Sequence, residues 1–163
     1  MPSRFRTADE RLEDFSIESL VVCPRCSRCA LVRLREVGAS PPVLLTCLHC
    51  GFSQGWRPSR PGILRSTHAA QFPGYVIFGP PVDPYFRLPL WLQARCCGRL
   101  LWAYNAMHLQ WLEEYIGATL RERAPGEHGW SNSSLASRLP QWMRSAKNRG
   151  EVLRCTQALK QQG

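Results

Sequence analysis

Cysteine is the residue with the clearest chemistry in this chain of 163 residues, and five of its eight copies fall between Cys23 and Cys50, in "CPRCSRC" and "TCLHCGF". Cys23-x-x-Cys26 and Cys47-x-x-Cys50 form two pairs with 20 residues between them, a separation typical of zinc sites. Pairing Cys26 with Cys29 leaves 17 residues and also fits. Turn chemistry separates the two choices. A thiolate knuckle needs a tight reversal with backbone N–H groups aimed at sulfur, and Pro24 and Gly51 favour one at the first choice while Cys29 has neither aid. Cys23, Cys26, Cys47 and Cys50 are therefore the expected ligands of one structural Zn2+ per chain. Four thiolates leave no open position for a catalytic water; iron in a rubredoxin-like site is the chemical rival, because spacing does not distinguish the two metals.

The elements that must position these ligands follow from periodicity. "ALVRLREV" reads as a strand, "GASPP" as a turn and "VLLT" as a returning strand that delivers Cys47, so a β-hairpin brings the knuckles together. "GWRPSRPGILRSTHAAQFPG" reads as a connector. Apolar runs at Tyr75 to Phe78, Leu88 to Leu92 and Leu100 to Tyr104 predict two or three short buried strands. Asn105 then caps an amphipathic helix over "NAMHLQWLEEYIGATLRER", with Arg121 and Arg123 at its carbonyl end. Ser133, Pro140 and Asn148 open three shorter helices. The expected class is α+β: residues 1–20 a helical lead-in, 21–60 the four-cysteine unit, and 61–163 a mixed strand and helical domain.

"CPRC" and "CLHCGF" around a hairpin resemble the zinc ribbon of general transcription factors, RNA polymerase subunits and several replication proteins. The resemblance covers about residues 21–56, and the family's usual glycine after the second cysteine is Ser27 here. The later segments "DPYFRLPLWLQ", "CCGRLLWAYN" and "SRLPQWMRSAKNR" are similar to small bacterial proteins known as zinc-ribbon-containing, some labelled by analogy with the primosomal helicase that restarts replication. No Gly-x-x-x-x-Gly-Lys-Ser/Thr loop is present, so a helicase motor is not implied.

A second cysteine question lies in "ARCCGRLLW", which looks like half a knuckle with Ala94 in place of its first cysteine. Cys96 and Cys97, with His68 or His108, could hold a second metal if Gly98 supplies a turn, since adjacent cysteines diverge in an extended chain. A buried pair in a hairpin bend is the plainer account. Cys155 reads as part of an apolar helix face, and His108 as a hydrogen-bonded or exposed imidazole.

Catalysis is not expected. Asp83 is the only carboxylate between Glu36 and Glu113, too few for a two-metal nuclease, and no local signature supports a cysteine nucleophile. The formal charge of +9 is concentrated in residues 21–101, where ten arginines face two carboxylates. Arg25, Arg28, Arg33, Arg35, Arg57 and Arg60, with Trp56 as a stacking face, compose a candidate nucleic-acid surface. Four thiolates on zinc subtract two charges from it. The ribbon resemblance implies a nucleic-acid-binding accessory factor in transcription or replication; the alternative is an adaptor or immunity protein whose ribbon is only structural and whose helical half binds a protein. No small-molecule substrate is evident. The sequence shows no membrane-length apolar run and no signal-peptide pattern, so a cytoplasmic chain is expected.

Overall fold

Alternation of apolar and polar residues from Glu18 to Thr46 builds the centre of the fold, a four-stranded antiparallel sheet with one face buried. The computed structural model describes residues 3–7, 10–59, 63–65, 71–74, 78–123 and 134–163. The chain opens with strand β1 (Arg4–Thr7) and a 3-10 helix (Leu12–Ile17). It then enters the sheet as β2 (Glu18–Val22), β3 (Cys29–Leu34), β4 (Val43–Thr46) and β5 (Ser53–Trp56), in that spatial order. Within the expected helical lead-in over residues 1–20, the described residues form a strand, one short 3-10 helix and the start of β2.

Register explains which side chains face inward. Val21 opposes Ala30 and Ser19 opposes Val32, while Val43 and Leu45 follow on the same face of β4. All six are buried. On the opposite face Gly55 carries the ring of Pro41; a Cβ at Gly55 would lie 2.4 Å from the proline Cγ, so only glycine permits the contact.

The free edge of β2 joins the sheet to the rest of the chain. Val22 N–H donates to Pro89, Trp91 N–H donates to Leu20, and Leu20 N–H donates to Tyr104, all through backbone oxygens. Two strands, β6 (Ile63–Arg65) and β7 (Gln71–Pro73), pair separately. Strands β8 (Leu92–Cys96) and β9 (Arg99–Ala103) form a hairpin that is followed by α1 (Ala106–Gly117). Val21, Val32, Val43 and Leu45 of the sheet share one hydrophobic core with Leu90, Leu92, Leu101, Leu109, Leu112, Ile116, Val152 and Leu159. The four-stranded sheet and the later elements are therefore packed around the same interior.

Asn105 caps α1 as expected: its Oδ1 accepts from His108 N–H at 2.9 Å, and its amide donates to the carbonyls of Phe15 and Glu18. The helix stops at Gly117, short of the expected Arg123, and Leu120–Arg123 becomes β10, parallel to β1. A partner strand more than a hundred residues earlier supplies the hydrogen bonds, which helical periodicity alone does not register. Arg121 still reaches the helix's carbonyl end, donating to Tyr115 and Ile116 oxygens with its guanidinium 4.8 Å from the Tyr115 ring centroid.

The last segment contains α2 (Leu135–Arg138), α3 (Gln141–Arg144) and α4 (Arg149–Gln162). Ser134 caps α2; the expected cap, Ser133, lies outside the described residues. Asn148 precedes α4 without capping it and donates instead to the Trp142 carbonyl. Of the three apolar runs expected as strands, Leu100 to Tyr104 largely forms β9, Leu90 and Trp91 line the edge of β2, and residues 75–77 lie outside the described residues.

Candidate metal centre

Two knuckles of like geometry meet at one end of the sheet. In the first, Ser27 N–H donates to Cys23 O and Cys23 N–H to Arg28 O. In the second, Gly51 N–H donates to Cys47 O and Cys47 N–H to Phe52 O. The residue after each second cysteine takes a left-handed backbone, φ 60° at Ser27 and 71° at Gly51. Ser27 thus fills the slot that glycine fills in the other knuckle, with the steric cost that a Cβ brings there.

The four thiols converge. Cys23 Sγ is 3.7 Å from Cys50 Sγ, Cys26 Sγ is 3.6 Å from Cys47 Sγ, and all four sulfurs lie within 4.8 Å of one another. A tetrahedral zinc with Zn–S bonds of about 2.3 Å spaces its sulfurs about 3.8 Å apart, so the donor set fits that ion. Cys23 and Cys47 are buried, Cys26 and Cys50 half-buried. Burial opposes ionisation of Cys23, but N–H groups of Cys26 and Arg25 and the adjacent thiols outweigh it and lower its pKa to about 7. At Cys26 an N–H from Arg28 favours the thiolate, yet burial and the three neighbouring thiols dominate and push it up to about 12. Thiolates this close repel one another, and a bound cation removes the conflict.

Cys29 stands on β3 outside this cluster. Its carbonyl accepts from the Cys47 thiol at 3.8 Å, and burial together with Cys47 raises its own pKa.

The candidate contact residues divide between the two ends of the sheet. Arg25 and Arg28 are exposed on the first knuckle and form no ion pair among the described residues. Arg33 is tied to Glu18 at 2.7 Å. Arg35 donates to the Pro41 carbonyl and Arg57 to Ser40 Oγ, gathering both around the far turn. At about 3.4 Å per residue, β3 sets that turn roughly 17 Å from the knuckles. Trp56 is half-buried with its ring centroid 5.0 Å from that of Tyr85 in an edge-to-face contact. Arg60 and His68 lie outside the described residues.

Three groups gain roles that spacing did not signal. Asp83 is buried, and its carboxylate accepts N–H bonds from Tyr85, Phe86 and Leu88, bracing the loop that leads to the edge of β2. His108 is only 2% exposed; its Nδ1 accepts from Tyr104 N–H and burial lowers its pKa to about 3, so the imidazole is neutral. It lines a cavity of about 230 Å³ with Leu12, Trp102, Leu139, Trp142 and Met143. Finally, Glu151 on α4 joins Cys96 and Cys97, whose thiols are 3.9 Å apart.

Among the described residues no helix is long and apolar enough to cross a membrane. The four cysteines at the knuckles could hold a metal ion; no family model matches the chain, and neither the curated proteins nor the solved structures include a significant match.

Proposed function

We propose that this is a non-catalytic zinc-binding protein, with the metal holding the knuckle end of the sheet in shape and that end engaging nucleic acid as an accessory factor in transcription or replication. The observation that carries the reading is the exposure of Arg25 and Arg28 beside the cluster, without ion pairs among the described residues, in a stretch of the chain whose only carboxylate is Glu36. Guanidinium forks without carboxylate partners suit phosphate oxygens. Arg33, Arg35 and Arg57 extend the basic character along the sheet, though their bonds to Glu18, Pro41 and Ser40 hold them more closely.

Titration of the zinc-loaded chain against labelled single-stranded and duplex oligonucleotides tests this. Log K is expected to fall linearly with log salt with a slope of about −2 to −4, for about two to four neutralised phosphates. Charge reversal of Arg25 and Arg28 together should flatten the slope by about 2. Leu48, 93% exposed at the tip of the second knuckle, favours a second reading in which this end docks on a protein. Failure to bind any oligonucleotide at low salt, with a protein complex that Leu48→Ser disrupts, would replace the first reading by the second.

A further inference from the structure

Adjacent cysteines in an extended strand point to opposite faces and do not share an ion. Cys96 and Cys97 escape that rule. Cys96 ends β8 opposite Arg99, which leaves Cys97 and Gly98 as a two-residue turn, both with positive φ, 51° and 70°. A left-handed backbone is strained at cysteine, and asparagine or glycine is the usual occupant of that position. What the conformation achieves is convergence: the two Sγ atoms lie 3.9 Å apart, close to the spacing of thiolates on a tetrahedral zinc.

The helix packed on this hairpin completes the set. Glu151, in the first turn of α4, accepts the Cys97 N–H at 2.8 Å, and a carboxylate oxygen of Glu151 lies within 4.8 Å of both sulfurs. Cys155 follows four residues later on the same helix face, with its thiol directed at the Arg95 carbonyl at 3.9 Å. We infer that the β8–β9 turn and the first turns of α4 form a second cation site, with Cys96, Cys97 and Glu151 as ligands and Cys155 as the fourth, selective for a thiophilic divalent ion of the zinc type. Three sulfurs and one carboxylate suit zinc or cobalt and discriminate against magnesium and calcium. The bound ion cross-links a hairpin to a helix that begins some fifty residues later, and its ligands are distinct from those of the knuckles.

Metal content of the full chain, purified under reducing conditions with zinc present, decides the matter. Two ions per chain are expected. Cys97→Gly suits the turn and should fold normally while retaining one ion; Glu151→Gln with Cys155→Ser should do the same without touching the turn. Titration of the metal-free chain with Co2+ gives an independent reading: the sulfur-to-cobalt absorption of the wild type should exceed that of Cys97→Gly by the contribution of about three thiolates. One ion per wild-type chain overturns the inference. So does a second ion that survives both variants, or a disulfide joining any two of Cys96, Cys97 and Cys155 in the zinc-loaded protein.

Discussion

The two cysteine clusters are assembled in opposite ways. At the knuckles, four thiols come from two copies of the same local turn, Cys23 to Ser27 and Cys47 to Gly51, joined by antiparallel strands of one sheet. At the β8–β9 hairpin, one turn supplies Cys96 and Cys97, and the remaining donors arrive on a helix from the far end of the chain. The first arrangement would make metal binding part of local folding. In the second, the hairpin and α4 already pack through the common core, so the ion would add to a structure that stands without it. Removal of a ligand should therefore have unequal consequences at the two sites.

The largest effect is expected at the knuckles. Cys47→Ser should release the metal and destabilise the chain by more than about 4 kcal/mol, as loss of a structural metal can. Because Val43 and Leu45 lie in the same core as α1 and α4, chemical denaturation should show the damage in the helical signal as well. Cys29→Ser should keep its metal; loss of metal in that variant with retention in Cys23→Ser would reassign the ligands.

Acid should separate the metal sites from the body beneath them. The folded pKa of His108 is about 3, below the ordinary 6.5, because burial disfavours the cation. Between those values the unfolded chain binds a proton that the folded chain does not, so stability is full above about pH 6.5 and declines as pH falls toward 3. The slope from this group is about 1.4 kcal/mol per pH unit, measurable by denaturant unfolding between pH 6 and 5. His108→Gln should flatten the slope while leaving the metal content unchanged. Loss of metal from that variant would show that the body and the knuckles are coupled more tightly than their contacts suggest.

The smallest effect compares the knuckles with each other. Ser27→Gly should raise stability by about 0.5 to 1 kcal/mol by relieving the left-handed serine, and Gly51→Ala should lower it by about 1 kcal/mol. Nothing stands within 4 Å of a Cβ at Gly51, so the cost there is one of backbone conformation alone. Equal and opposite shifts in melting temperature would confirm that the two turns are equivalent; a destabilising Ser27→Gly would show that the serine side chain contributes something of its own.

Much of the knuckle site was legible because its determinants are local. A Cys-x-x-Cys step, a residue able to take a positive φ and strands of alternating polarity each act within a few residues, and all appear in "CPRCSRCALV" and "VLLTCLHCGF". The amphipathic stripe and the Asn105 cap likewise identified α1. Its end was misread because Leu120–Arg123 carries helical spacing and good helix formers, yet finds β1 as a hydrogen-bonding partner. An exposed and a packed tryptophan are identical in sequence, so the edge-to-face contact of Trp56 with Tyr85 was not legible there.

What the sequence by itself determined is which four cysteines are spaced to meet at the knuckles, the strands that carry them and the basic balance around them, since these depend on residue type and short spacing. Only the tertiary structure decided that the four-stranded sheet and the helices share one core, that His108 is buried and neutral, and that Glu151 stands beside Cys96 and Cys97. Those outcomes rest on contacts between residues tens of positions apart, where the burial of one face against another fixes which side chains meet, and no local periodicity encodes the partner.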